Sequence, residues 1–298
     1  MKKIHIRRMI QAGWAVLTNG YFYGFLKGSI YQGELKRVCV PGLNCYSCPG
    51  ALGSCPLGSL QASLAAGGHI SAYVTGFLFL MGAVFGRLIC GFLCPFGLIQ
   101  ELLYKIPVRR KGKSLKRRRL PFDRYLRMIK YVLLVFFVLL LPAFAVSAAG
   151  VGAPWFCKYI CPAGTLEGGW ILALRVPYLR SSLGFLFGWK SLILIAVLTA
   201  SVFLPRPFCR YLCPLGGIYG LFQKVSVYRY AVDPNACIHC GRCQAVCPMD
   251  VKTWENPNSI ECVRCGDCKT ACPTGAIHSG FFLKDGRICG EPLKKKTD

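Results

Sequence analysis

Two runs of cysteine near the C-terminus repeat one spacing: Cys237, Cys240, Cys243 and Cys247-Pro248, then Cys262, Cys265, Cys268 and Cys272-Pro273. Thiolate is a soft ligand suited to iron–sulfur chemistry, and two-residue spacers let successive cysteines wrap one face of a cubane [4Fe-4S] centre. In tandem runs of this kind the fourth cysteine of each serves the other cluster. The spacing therefore predicts one set of Cys237, Cys240, Cys243 and Cys272, and a second of Cys262, Cys265, Cys268 and Cys247. A double zinc site is the competing reading, but zinc sites lack the additional C-x2-C step and the Cys-Pro ending.

A different spacing recurs upstream. Cys90 and Cys94, Cys157 and Cys161, and Cys209 and Cys213 each stand in a C-x3-C-P-x-G segment: CGFLCPFG, CKYICPAG and CRYLCPLG. Cysteines four apart share one face of a helical turn, so two such pairs supply four thiolates. An amphipathic stretch follows each copy, GLIQELLYKI, GTLEGGWILAL and GIYGLFQKV. Proline favours the first turn of a helix, so each copy predicts a break and then a half-helix whose positive end faces the thiolates. The N-terminal loop holds a degenerate fourth copy, Cys45-Tyr-Ser-Cys48-Pro49 and Cys55-Pro56-Leu57-Gly58, preceded by Cys39. Polar residues recur six positions after the last cysteine of each copy: Gln61, Gln100 and Glu167, with Tyr219 in the fourth. Buried inert thiols, or plain disulfides on the outer side, are the competing reading of these pairs. Cys289 stands alone and reads as a bystander.

The elements that must position these cysteines are membrane-like. The chain is 54% hydrophobic yet carries a formal charge of +25, so apolar and basic stretches must be segregated along it. A span of the hydrocarbon core takes about 20 apolar residues. Stretches at about 70 to 89, 131 to 150 and 185 to 205 satisfy this, the last with Lys190 placed to snorkel, and a more polar one lies at about 10 to 31. An uncleaved signal peptide is the competing reading of that first stretch. The basic N-terminus and the block from Lys105 to Lys130 belong in the cytoplasm by the positive-inside rule, where they set topology and meet anionic lipid rather than nucleic acid. Four spans then place Cys90, Cys94, Cys209 and Cys213 on the inner side, enough for one [4Fe-4S] cluster. Cys39, Cys45, Cys48, Cys55, Cys157 and Cys161 fall on the outer side, with Cys48, Cys55, Cys157 and Cys161 as the preferred ligands and Cys39 and Cys45 as alternatives.

These features together resemble the polytopic membrane ferredoxins of the NapH, NosR and MauN type, through CGFLCPFG, CRYLCPLG, the basic loop and the paired C-terminal runs. The N-terminal CVPGLNCYSCPGALGSCPLGSLQ is similar to that of many bacterial 4Fe-4S membrane proteins. The resemblance covers residues of about 10 to 275 and implies electron passage between a quinol pool or cytoplasmic donor and a partner reductase or maturation system. The chain departs from NosR in lacking a large extracytoplasmic flavin-binding domain, and from NapH in its extra C-x3-C-P copy and N-terminal cysteines.

The fold expected is an α-helical integral membrane protein of four transmembrane helices and half-helices over 1–229, with a small α+β two-cluster ferredoxin domain at 230–283 and a basic tail at 284–298. Both termini are expected in the cytoplasm of a prokaryote, at the cell membrane. The favoured function is a transmembrane electron conduit from a cytoplasmic ferredoxin-like donor or reductase to a membrane or extracytoplasmic acceptor, through four [4Fe-4S] clusters in all. A quinone oxidoreductase is the second reading, with Glu101, Glu167 and His69 as titratable candidates. A redox-sensing or maturation accessory protein is the third. Haem, flavin and nucleotide are not expected: four histidines offer no facing pair, and no P-loop or dinucleotide fingerprint occurs.

Overall fold

The computed structural model describes residues 2–67, 70–110, 113–114, 120–145, 152–181, 183–282 and 288–289. His69, most of the basic block between 111 and 119 and most of the 284–298 tail lie outside the described residues.

The chain is mostly helical. Two helices are long and apolar enough to cross a membrane, Asp123–Phe144 with 22 residues and Phe185–Phe203 with 19. A third apolar helix, Ala72–Phe85, has 14. The first stretch forms Lys2–Thr18 and then a short Phe22–Lys27, the break falling at Asn19-Gly20. Large apolar side chains on the two long helices face outward, among them Val132, Val135, Phe136, Phe185, Leu192 and Ile195. An outward apolar face of this size is what a hydrocarbon surround accommodates.

Four half-helices begin identically. Pro56–Ala65, Pro95–Lys105, Pro162–Gly164 (which continues to Arg175) and Pro214–Leu221 each have proline at the first helical position and an extended cysteine as N-cap: Cys55, Cys94, Cys161 and Cys213. Proline fixes the helical φ and gives up an N–H that the first turn leaves unpaired in any case. In the last two the thiol also caps the turn: the Gly164 N–H donates to Cys161 Sγ at 3.5 Å and the Gly216 N–H to Cys213 Sγ at 3.4 Å. Upstream, Cys161 N bonds Phe156 O and Cys213 N bonds Phe208 O, both at 2.9 Å and both across five residues. Such widened turns close these two C-x3-C loops alike.

The C-terminal part pairs Tyr228–Val232 antiparallel with Ile277–Phe282, Tyr230 opposite Ser279, and Ile288–Cys289 pairs with the outer end of the second strand. Two short helices, Arg242–Val246 and Asp267–Ala271, pack on each other beneath it. The apolar core does not stop at residue 230. Met249, Val251, Cys262 and Val263 belong to the same buried cluster as Leu57, Phe96, Phe156 and Phe208.

Candidate iron–sulfur sites

In the C-terminal part, Cys237, Cys240, Cys243 and Cys272 line one small cavity of about 20 Å³, with Ile238, Trp254 and Ile277 completing its wall. Cys247 stands within electrostatic reach of Cys262, Cys265 and Cys268. The fourth cysteine of each run thus lies with the first three of the other. The backbone repeats as the spacing does. His239 and Arg264, inside the first C-x2-C of each run, both have φ of +50°, and Gly241 and Gly266 follow at +71° and +85°. Asp250 and Gly275, three residues after each fourth cysteine, are left-handed as well, at +52° and +69°. Left-handed residues in such turns aim successive N–H groups into one concavity, a nest for an anionic cluster. Two of these amides already meet sulfur: Arg264 N donates to Cys262 Sγ and Val251 N to Cys247 Sγ, each at 3.4 Å.

The membrane part brings remote copies together in pairs. Cys90, Cys94, Cys209 and Cys213 line a small cavity of about 10 Å³, closed by Pro41, Gly42, Leu43, Arg87 and Leu215. Gln100 locks this pairing: its Nε2 donates to Cys209 Sγ at 3.3 Å and its Oε1 accepts from Phe208 N at 3.1 Å. Gln61 does the same for the second pairing, donating to Cys157 Sγ at 3.3 Å and accepting from Phe156 N at 2.9 Å. The other two residues of that recurrent position reach back to the N-terminal loop, where Glu167 Oε2 accepts from Cys45 N at 2.8 Å and Tyr219 Oη donates to Pro41 O at 3.0 Å. The sequence signal was present at these four positions; only the paired geometry shows its purpose.

The outer cavity, about 830 Å³, is lined by Cys45, Cys55, Cys157 and Cys161. Cys48, expected among these ligands, is turned away: its Sγ donates to Asn19 Oδ1 at 3.4 Å and it is buried behind the wall. Cys39 is buried too, in a bridge to Ser54. Cys45 lies on the cavity wall, with its N–H held by Glu167 on the half-helix that follows Cys161. A Cβ on Gly164 would sit 3.2 Å from Cys45 Sγ and 3.9 Å from Cys161 Sγ, so glycine in the Cys-Pro-x-Gly ending keeps two thiols of the set in reach. Lys190 does not reach outward for the interface; its Nζ donates to Cys157 O at 3.1 Å, beside this cavity.

Among the described residues no three His, Cys, Asp or Glu side chains stand close enough to share a single metal ion. The thiol sets are spread around cavities, the arrangement a multi-iron core requires and a tetrahedral zinc at about 2.3 Å from each sulfur does not. All eighteen described cysteines are free thiols.

Buried charge joins the two parts. Arg87, fully buried, donates to Ile260 O at 2.8 Å, to Glu261 Oε2 at 3.1 Å and to Cys209 O at 3.1 Å. Lys130, also fully buried, meets both Glu261 oxygens at 2.6 Å. Glu101 is gripped by Arg7 at 2.9 Å through both oxygens and by Arg206 at 2.7 Å, and Arg206 also donates to Cys90 O at 2.8 Å. Glu101 is therefore an ion-pair partner packed beneath the inner set. Sequence reasoning missed Arg87, Lys130 and Glu261, because their partners lie more than 100 residues away and no local pattern marks them.

Two families described as 4Fe-4S binding domains match the chain, one over residues 68–114, 133–175 and 187–229, the other over 230–253 and 258–278. An uncharacterised protein of Methanocaldococcus jannaschii is 29% identical over 211 residues, 69% of this chain and 69% of its own length. The methylamine utilization ferredoxin-type protein MauN of Paracoccus denitrificans is 28% identical over 186 residues, 62% of this chain and 56% of its own. The ferredoxin-type protein NapH of Haemophilus influenzae is 24% identical over 246 residues, 78% of this chain and 70% of its own. No solved structure matches. With two tandem runs at its C-terminus and repeated Cys-Pro segments in an apolar helical part, the chain belongs to the ferredoxin-type membrane proteins that carry 4Fe-4S binding domains.

Proposed function

We propose that the chain is a membrane electron relay in which four thiol sets each hold a [4Fe-4S] cluster. The sets are Cys237, Cys240, Cys243 and Cys272; Cys262, Cys265, Cys268 and Cys247; Cys90, Cys94, Cys209 and Cys213; and Cys45, Cys55, Cys157 and Cys161. The cluster supplies one-electron storage when bound, and the protein sets its potential through burial and hydrogen bonds to sulfur.

The observation that carries this reading is the contact between the second and third sets. A Cβ on Gly91, between Cys90 and Cys94, would lie 2.5 Å from Val263 O and 3.7 Å from Cys265 Cα. Only glycine lets the two cysteine loops touch backbone to backbone. Gln223 reinforces the junction, donating to Cys262 O at 3.0 Å and accepting from Arg87 N at 3.0 Å. Arg264 adds bonds to Phe85 O and Gln223 O, each at 3.1 Å. These residues hold the head in one orientation and keep water from the junction.

In this reading a cytoplasmic donor or reductase exchanges electrons at the exposed end of the head, where Cys240 reaches the surface, and a membrane or extracytoplasmic protein meets the far set. Four spans with both termini in the cytoplasm complete it, supported by the two long apolar helices and the basic N-terminus. A second reading, a quinone-linked oxidoreductase, is favoured by one observation. The outer cavity is several times the size of the inner one and leaves space beside its thiols for a small redox molecule.

Iron and sulfide quantitation on anaerobically purified protein tests the relay. The expected result is about sixteen irons per chain, four for each four-cysteine set. About eight irons, confined to the C-terminal part, would refute it.

A further inference from the structure

The outer and inner thiol sets come from alternate copies of the membrane repeat, and one short strap lies between them. Pro41, Gly42 and Leu43 line the inner cavity, and Leu43, Asn44 and Cys45 line the outer one. Leu43 is common to both walls and so stands between the two cavities. Its neighbour Gly42 fits against the inner loop, where a Cβ would meet Leu93 O at 2.8 Å and Cys94 Cα at 3.4 Å.

The amides of the strap are divided in the same way. The Leu43 N–H faces the Cys94 thiol and the next N–H, that of Asn44, faces the Cys55 thiol. Consecutive peptide groups are thus directed at a sulfur of each set. The strap is fixed from both sides: Tyr219 Oη donates to Pro41 O at 3.0 Å, and Asn44 Nδ2 donates to Gly53 O at 3.3 Å and to Thr18 O at 3.4 Å. Leu43 and Asn44 are both buried.

We infer that the strap Pro41–Cys45 is the electron bridge between the inner and outer sets, and that it couples them as one redox pair. The inference rests on the relay reading for both sets. One electron leaves the group held by Cys90, Cys94, Cys209 and Cys213 and arrives at the group held by Cys45, Cys55, Cys157 and Cys161; no proton or covalent bond is exchanged. The first group is oxidised as the second is reduced, and the electron originates from a cytoplasmic one-electron donor through the head.

Two centres on either side of one strap interact magnetically when both are paramagnetic. An EPR-monitored dithionite titration of the wild-type holoprotein should show sharp signals while one membrane set is reduced, and split or broadened signals once both are. Sixteen irons with two signals that simply add would overturn the inference while leaving the relay intact. Eight irons would overturn the relay and the inference with it. A second arm uses Leu43→Pro, which removes the N–H directed at Cys94 together with the leucine side chain, and Leu43→Ala, which loses the side chain and keeps the N–H, is its control. Loss of a hydrogen bond to a charged sulfur should lower the inner set's reduction equilibrium about tenfold, 59 mV for a one-electron couple. An unchanged inner potential with full iron content would overturn the assignment of that amide.

Discussion

Glu261→Gln should release the C-terminal head from the membrane part. The carboxylate is the shared counter-ion of Lys130 and Arg87, at 2.6 Å and 3.1 Å, and both cations are fully buried. Glutamine keeps the shape but leaves two buried positive charges without a partner. Breaking a buried pair by removing one member costs about 3–5 kcal/mol, because the remaining charge stays uncompensated. Each 1.4 kcal/mol is a factor of ten, so the docked state should be disfavoured by roughly two to three orders of magnitude. The residues touched are specific: Ile260 and Glu261 in the head, Arg87 and Cys209 in the membrane part, and Gln223 at the junction. Amide exchange of the holoprotein in lipid nanodiscs should therefore rise over 258–264 and 221–226, with the antiparallel strands of the head still protected. Iron content of the head should be unchanged. A variant carrying Lys130→Met together with Glu261→Met removes both a charge and its partner and should recover part of the protection, since apolar replacement of a whole buried pair is often neutral. Wild-type exchange in Glu261→Gln would refute the view that this charge cluster docks the head.

Two further outcomes follow from the membrane sets. Cys45→Ser should reduce iron by about four per chain, one cluster, whereas Cys48→Ser should leave it unchanged, because Cys48 lies off the outer cavity; equal loss from both variants would reverse the assignment. Gln100→Leu strips Cys209 Sγ of a donor and Phe208 N of its acceptor, at a cost of about 1–3 kcal/mol for the buried amide. Gln100→Glu keeps an acceptor for Phe208 N but no donor for Cys209. Thermal unfolding should therefore separate the two variants, while redox titration should show the inner potential lowered in both.

Much of the chemistry was legible because it is encoded locally. The tandem runs and their crossed fourth cysteines follow from a two-residue spacer and one proline, and the structure repeats them down to the left-handed His239 and Arg264. The half-helices were legible too, since a Cys-Pro pair specifies an N-cap and first turn without help from the rest of the chain. The spans were less so: length and apolarity identify Asp123–Phe144 and Phe185–Phe203, but Lys2–Thr18 carries charge that pairs inside the fold, with Arg7 on Glu101, instead of a plain apolar run.

The amino-acid sequence by itself therefore determined which thiols are spaced as cluster ligands are, how each cysteine loop turns, and that apolar helices carry them. Tertiary structure alone decided which loops share a cavity, because the thiols of one membrane set come from segments more than 100 residues apart. It also placed Cys45, and not Cys48, on the outer cavity wall, where Glu167 holds the Cys45 amide across 122 residues. The nearness of the sets belongs to the same level: Gly91 against Val263, and Leu43 between two cavities, are contacts of backbone with backbone. Spacing along the chain records how one loop wraps a cluster, whereas the path from cluster to cluster exists only where remote loops pack closely enough to touch.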